Sequence, residues 1–159
     1  LDLARWLLGE PRALQAFATS RAGREGGWEN LDVRLWTDGA QASVTRSIAA
    51  WGHRVTLTIV GDEGAFRAHW TGRMDADPEP RVEGWLHAGE DRDAPAERIT
   101  MRTATGHAFD LPRQTRAFLD ACAGGPPPPA TGEDGLAAVR LCLAAERSLR
   151  EGEIRIDLA

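Results

Sequence analysis

The side chains best suited to metal, nucleophilic or acid–base chemistry are few in this sequence and lie far apart. Its four histidines are His53, His69, His87 and His107, and none has a histidine or carboxylate partner at a spacing typical of metal ligands. We therefore expect solvated or core histidines and no metal site. Lysine is absent, which excludes Schiff-base chemistry and a P-loop from this chain.

The two cysteines, Cys122 and Cys142, are predicted to lie on apolar faces of helices. That placement favours buried, unreactive thiols over catalytic ones. Their number and spacing fit neither a disulfide framework nor a zinc site, so we expect a reducing, cytoplasmic location.

The composition is that of a soluble globular domain. The chain has 159 residues, of which 42% are hydrophobic and 27% charged, and its formal net charge is -5. It contains no apolar run of about 18 residues that could span a bilayer. Because no basic stripe offsets the acidic side chains, we expect neither a nucleic acid nor a membrane as partner.

The spacing of apolar residues changes along the chain from helical to alternating and back to helical. It predicts a first helix over 1–8 without an N-cap, strands over 13–19, 31–36, 42–51, 55–60, 81–87, 98–105 and 153–158, and a further strand that starts near residue 65. Asp38-Gly39 predicts a type I′ hairpin turn, and the segment 61–64 predicts a second hairpin. Segments 71–80 and 88–97 are interpreted as mobile loops. Asp110 is predicted to cap a second helix, and Thr131 with Asp134 to form a capping box for the longest one, which ends at Arg150.

This order predicts the α+β class, with an open, mostly antiparallel β-sheet and helices packed on one face. The other face of the sheet would carry Asp32, Arg34, Trp36 and Thr45. A face that mixes charges, hydroxyls and tryptophan suits a protein interface or the floor of a ligand site. Arg46 falls among apolar residues of its strand, so we expect it at the sheet edge or paired with a carboxylate.

Several segments, in this order, resemble the Gfo/Idh/MocA family, the glucose-fructose oxidoreductase and inositol dehydrogenase group of NAD(P)-dependent oxidoreductases. LDLARWLLG at 1–9 resembles the segment that follows the active-site histidine. The hairpin segment 29–51 and the strand that leads into GDEGAF at 61–66 are similar to the family's sheet hairpins. FLDA at 118–121, the proline run after it, EDGL at 133–136 and AAERS at 144–148 resemble its two C-terminal helices.

The resemblance implies a single C-terminal domain over residues 1–159, glyceraldehyde-3-phosphate-dehydrogenase-like in fold, which serves substrate binding and oligomerisation. In the family a Rossmann domain that binds NAD or NADP precedes it, and we expect that domain to be absent here because the sequence has no G-x-G-x-x-G. The family's catalytic lysine lies in a Glu-Lys-Pro motif, and its acid–base aspartate and histidine lie in a D-x-x-x-H-x-x-D pattern. If Asp2 is the last aspartate of that pattern, all three groups fall before Leu1. We therefore expect no catalytic residue and no cofactor site in this chain.

The residues expected to line a substrate pocket are Asp2, Trp28, Trp51 and His53. The resemblance implies that Asp2 accepts a hydrogen bond from a substrate hydroxyl or orients the catalytic histidine. The alternative is that Asp2 is simply an acidic residue that stabilises the N-terminus of its helix. Trp28 ends the glycine-rich segment 20–28, which is either a lid or a plain connection. His53 follows Trp51 near a strand start, where family residues approach the pocket; the alternative is a loop histidine.

The expected function is that of an oxidoreductase domain. The parent protein would transfer a hydride between NAD(P) and a hydroxyl carbon of a sugar, inositol or related polyol, and this chain alone would be inactive. A homodimer or larger homo-oligomer would form through the outer sheet face. The alternatives are a non-catalytic binding module with the same fold and a domain that serves only dimerisation.

Overall fold

A computed structural model describes residues 1–20, 27–49, 52–72, 81–89, 91, 93–100 and 107–158, with the side chains of 107–109 left out. The helices are α1 (Asp2–Leu8), α2 (His107–Cys122) and α3 (Gly132–Arg150). The strands are β1 (Ala13–Thr19), β2 (Asn30–Trp36), β3 (Gln41–Ser47), β4 (Arg54–Gly61), β5 (Gly64–Thr71), β6 (Arg81–Ala88), β7 (Glu97–Ile99) and β8 (Ile156–Asp157). Every strand pair in this part of the chain is antiparallel. The predicted α+β class is confirmed.

The strands form two four-stranded sheets, and the chain divides into two compact units. The first unit comprises residues 1–50 and 129–159 and contains the sheet β3-β2-β1-β8, which we call the first sheet. Alternate residues of its strands pack against α3, because alternation places every second side chain on the same face. The core of this unit consists of Leu14, Ala16, Val33, Leu35, Leu141, Ala145 and Ile156.

The capping box of α3 is present as predicted. The Thr131 hydroxyl accepts a hydrogen bond from the Asp134 backbone nitrogen at 3.3 Å, and the Asp134 carboxylate accepts one from the Thr131 backbone nitrogen at 2.9 Å. At the other end, Gly152 has φ 92° and Glu153 has φ 62°. The backbone nitrogen of Glu153 donates to the carbonyl of Ser148 at 2.7 Å, which closes the helix with a left-handed turn.

This turn shortens the last strand. A strand over 153–158 was predicted, but β8 covers only Ile156–Asp157. Glu153 belongs to the turn, and the carbonyl of Ile154 accepts a hydrogen bond from the Ser148 hydroxyl at 2.5 Å. Ile156 is buried, whereas the side chain of Ile154 is exposed, so the predicted common face of these isoleucines is wrong.

The second unit comprises residues 51–128 and contains the sheet β4-β5-β6-β7, the second sheet. The predicted 61–64 hairpin joins β4 to β5, with Gly61 paired to Gly64. A Cβ atom at Gly64 would lie 2.1 Å from the carbonyl oxygen of His87, so the close approach of β6 requires glycine there. The strand predicted over 98–105 is represented by β7, and residues 101–106 lie outside the described residues, as do 73–80 of the predicted loop 71–80.

Three local predictions are wrong. The strand predicted over 42–51 ends at Ser47. Neither Asp38 nor Gly39 has a positive φ, so their turn is not type I′; instead the Thr37 hydroxyl accepts a hydrogen bond from Ala40 N at 3.1 Å. Asp110 is not the N-cap of α2, because the helix begins three residues earlier and Asp110 pairs with Arg113 inside it.

The prediction of buried thiols is also wrong, since Cys122 and Cys142 are both exposed. α3 turns Leu141, Ala145 and Ser148 toward the first sheet. Apolar residues of α3 occur on several of its faces, so their spacing could not show which face would be buried. No described helix is long and apolar enough to cross a membrane.

Candidate functional site

The predicted interface residues lie together on the exposed face of the first sheet, which we call the outer face. Asp32 of β2 is paired directly with Thr45 of β3, and Arg34 is paired with Ser43. The Asp32 carboxylate accepts hydrogen bonds from the Ser43 hydroxyl at 2.7 Å and the Thr45 hydroxyl at 2.8 Å. The other carboxylate oxygen of Asp32, Oδ1, lies 3.6 Å from the Nε atom of Arg34.

This environment keeps Asp32 ionised. Partial burial by itself would raise the pKa of Asp32, but the hydroxyls of Ser43 and Thr45 and the charge of Arg34 outweigh it, so the pKa lies below its ordinary value. The Oδ1 atom of Asp32 is buried and has no hydrogen-bond donor among the described residues. Because this oxygen has almost no accessible surface, it is not available to a donor from a partner or a ligand in this conformation.

The outer face also carries two contacts between arginine side chains and aromatic rings. The Arg34 guanidinium lies 5.5 Å from the ring centroid of Phe17 on β1, and the Arg155 guanidinium lies 5.0 Å from that of Trp36. Stacked guanidinium groups and aromatic rings are common at protein interfaces. Arg46 is exposed on β3, an edge strand among the described strands, so the first of its two predicted placements, at the sheet edge, is confirmed.

Asp2 lies in the first turn of α1, where its side chain is 52% exposed. Its Oδ1 atom is 3.6 Å from Nη1 of Arg5, a spacing of three residues along the helix. Arg5 also donates to Glu10 at 2.7 Å and to Asp134 at 3.0 Å, and so connects α1 to the start of α3. Asp2 is therefore held only loosely and keeps acceptor capacity toward solvent.

The other predicted pocket residues lie in different parts of the chain. Trp28 is 45% exposed and precedes β2 in the first unit. His53 is exposed in the second unit, and its carbonyl accepts a hydrogen bond from Gly72 N at 3.2 Å. Trp51 lies outside the described residues, as do residues 21–26 of the predicted lid segment, whose flanks are joined by a 2.7 Å hydrogen bond from Ser20 to the Gly27 carbonyl.

A cleft of about 590 Å³ opens between the α1–β1 connection and the β2–β3 hairpin. It contains none of the predicted site residues. Its charged groups include Arg12 and Asp38, which form an ion pair with each other, so this pair offers little free charge to a ligand. In the described part of the chain, no group of three or more His, Cys, Asp or Glu side chains could hold a metal ion.

Sequence reasoning missed the polar contacts that organise the first unit. Ser148 is completely buried and connects α3 to β1 and to the C-terminal turn. Arg5 and Asp134 connect two helices that are far apart in sequence. The only signal in the sequence was a serine on the helix stripe that also carries Leu141 and Ala145.

Comparisons with known proteins agree with this fold. A family model described as "Oxidoreductase family, C-terminal alpha/beta domain" matches residues 1–158. No curated protein matches the sequence.

Solved oxidoreductase structures resemble the chain over nearly its whole length. One is a protein named a putative NADPH-dependent oxidoreductase from Desulfitobacterium hafniense, with TM-score 0.79 and 16% identity. The match covers 98% of this chain and 45% of the Desulfitobacterium protein. Another is the putative oxidoreductase yvaA from Bacillus subtilis, with TM-score 0.72, 19% identity and coverages of 99% and 49%. The WlbA dehydrogenase from Bordetella pertussis, in complex with NADH and UDP-GlcNAcA, has TM-score 0.67, 22% identity and coverages of 99% and 42%. The chain thus spans less than half the length of each of these proteins.

Proposed function

Because the chain belongs to the Gfo/Idh/MocA oxidoreductase family as its C-terminal alpha/beta domain, we propose that it is the substrate-binding and oligomerisation domain of an NAD(P)-dependent oxidoreductase. The proposed substrate is a sugar, an inositol or a related polyol, and residues 1–159 form a single domain of the parent protein. The family match over residues 1–158 is the observation that carries this proposal.

Relatives of the same fold support the cofactor and substrate class. The WlbA dehydrogenase was solved with NADH and a sugar nucleotide, and the Desulfitobacterium protein is named as NADPH-dependent. These ligands belong to those proteins. A nicotinamide cofactor and a hydroxyl-rich substrate for the present protein are our proposal from that likeness.

The described residues of this chain do not fit a dinucleotide of their own. A Rossmann site needs parallel strands and a glycine-rich turn at a helix N-terminus. Here every described strand pair is antiparallel, and the sequence contains no G-x-G-x-x-G. In our proposal the cofactor and the catalytic lysine, aspartate and histidine therefore belong to a preceding domain.

The contribution of this chain is to bind and orient the substrate. Asp2 is the first candidate, since an exposed carboxylate can accept hydrogen bonds from substrate hydroxyls. Trp28, Trp51 and His53 are proposed as further residues of the pocket wall. An exposed tryptophan such as Trp28 suits the apolar face of a sugar ring.

Helices α1 and α3 expose apolar side chains that suit burial against the preceding domain. Trp6 is 76% exposed, and Leu3, Leu136, Val139 and Leu143 are each at least half exposed. Large exposed apolar side chains of this kind commonly mark a contact surface. We propose that the cofactor-binding domain packs there, while the outer face with Asp32, Arg34, Trp36 and Thr45 forms the homo-oligomer contact.

Fluorescence titration with NADH and NADPH tests whether the cofactor site lies outside the 159-residue chain. The protein in its full natural length should bind one of them, and the 159-residue chain should bind neither. Micromolar binding to the 159-residue chain would contradict the proposal that the cofactor site lies elsewhere.

Steady-state kinetics with myo-inositol, free sugars and sugar nucleotides test the substrate class and the role of Asp2. Asp2→Asn should raise KM or lower kcat without changing the melting temperature, because its only ion pair among the described residues, with Arg5, is long at 3.6 Å and the Asp2 side chain is 52% exposed. Asp62→Asn, in the exposed β4–β5 turn, is the matched control and should leave both constants unchanged. Equal effects of the two changes would remove Asp2 from the pocket.

A further inference from the structure

The second sheet carries a cleft of about 330 Å³ on one of its faces. It is lined by Thr58 of β4, Arg67 and His69 of β5, and Trp85 and His87 of β6. The strand register places them side by side, since Arg67 is paired with Thr58 on one side and with Trp85 on the other. Its volume is at the lower end of the range of about 300–1,000 Å³ that is typical of small-molecule sites.

The cleft has an excess of positive charge. Arg67 forms no ion pair or side-chain hydrogen bond with any described residue, although its guanidinium carries five donors. The neighbouring carboxylate, Glu83, is already paired with other arginines. It accepts a hydrogen bond from Arg81 at 2.6 Å and lies 3.5 Å from Arg98, and these contacts hold the pKa of Glu83 below its ordinary value.

The wall of the cleft is aromatic. The indole of Trp85 is half-buried, and the ring of His69 meets it edge to face, with centroids 5.6 Å apart and an interplanar angle of 86°. This contact restricts the orientation of the indole, so the ring is prepared as a packing surface before a ligand binds. The hydroxyl of Thr58 adds a donor beside Arg67.

We propose that this cleft binds a small organic anion, in which a phosphate or carboxylate group is attached to a planar ring. Arg67 and Thr58 donate hydrogen bonds to the anionic group, and Trp85 packs against the ring. A guanidinium is well suited to this task because its fork of donors matches the paired oxygens of either group. The site goes beyond the proposed function and does not depend on it, since every residue that lines it lies within the second unit.

NMR titration of the protein in its full natural length tests this proposal through the indole N–H signal of Trp85, identified by its loss in Trp85→Phe. Phenyl phosphate and benzoate should shift this signal saturably. Phenol, which lacks the charge, should bind at least about tenfold more weakly, since a charge-assisted hydrogen bond accounts for about that factor. Inorganic phosphate, which lacks the ring, should also bind about tenfold more weakly, because it loses the apolar contact with the indole of Trp85. Binding of phenyl phosphate should weaken as salt is added.

Arg67→Gln should weaken the binding of phenyl phosphate about tenfold. Arg116→Gln, on the exposed surface of α2 in the same unit, is the matched control and should leave it unchanged. Thr58→Val, at a second position of the cleft, should also weaken binding, and the dispersion of the amide spectrum verifies that each variant is folded. No saturable shift with either ring-bearing anion would overturn the proposal, as would equal binding by wild type and Arg67→Gln. Equal binding of inorganic phosphate and phenyl phosphate would overturn the assigned role of Trp85.

Discussion

The hydroxyl oxygen of Ser148 lies 3.0 Å from the backbone nitrogen of Ala16, and this hydrogen bond joins α3 to β1. The same hydroxyl donates to the carbonyl of Ile154. Ser148 is fully buried, so water cannot replace either contact. One small polar side chain therefore fixes the position of a helix, a strand and the C-terminal turn.

Ser148→Ala should lower the free energy of unfolding by about 1–3 kcal/mol, because it leaves a buried N–H and a carbonyl without a partner. Ser47→Ala, at the exposed end of β3, should change it by less than about 0.5 kcal/mol. Urea denaturation measures both values. If the two variants were equally stable, Ser148 would not have the role described.

Asp134 predicts a pH dependence of stability. The hydrogen bond from the Thr131 backbone and that from Arg5 lower the pKa of Asp134 from 3.8 to about 2. Because the folded-state pKa is depressed, the stabilisation is fully present above the unfolded-state pKa of about 4 and is lost as the pH falls through about 2.

The difference in melting temperature between wild type and Asp134→Asn should therefore be largest above pH about 4 and shrink toward pH about 2. Other carboxylates titrate alike in both proteins and cancel from the difference. A difference that stays constant over this range would contradict the assignment.

Gly64 and Gly61 provide a matched pair in one hairpin. A Cβ atom at Gly64 would lie 2.1 Å from the carbonyl oxygen of His87, whereas one at Gly61 would lie 3.9 Å from its nearest neighbour. Gly64→Ala should therefore cost about 1–3 kcal/mol of stability, the usual range for forced overpacking. Gly61→Ala should be tolerated, and chemical denaturation of both variants provides the comparison.

Trp36→Glu tests the proposed oligomer contact. A carboxylate at this position of the outer face would be costly to bury between subunits, so the change should shift an oligomer toward the monomer. Phe118→Glu, on the exposed surface of α2, serves as the control for adding a charge at an exposed apolar position. Size-exclusion chromatography with light scattering reads the mass, and a monomeric wild type would remove the interface proposal.

Much of this fold could be predicted because the local patterns agree with the tertiary contacts. Alternation at Leu31, Val33 and Leu35 identified β2 and its buried face correctly. The capping box at Thr131 identified the start of α3 within one residue. In both cases short-range geometry alone decides the structure.

The features that the sequence did not predict are those that contacts between distant parts of the chain determine. The spacing of apolar residues on α3 allowed several buried stripes, and the choice depended on where Ser148 meets Ala16. Likewise, the cleft of the second sheet depends on the register of β5 with β6, which pairs Arg67 with Trp85. The connection between these strands is too long for turn chemistry to fix a register, so these side chains could be grouped only from the structure.

The contacts of β1 beyond its short pairing with β8 have a consequence for how this protein could assemble. The amide of Ala16 is taken by Ser148, and the amide of Ala18 lies 3.3 Å from a carboxylate oxygen of Glu153. Side chains thus occupy donors that a foreign strand would need in order to extend the sheet from this side. Edge-to-edge growth is blocked at β1, and the charged side chain of Arg46 discourages it at β3, the opposite border of the described sheet.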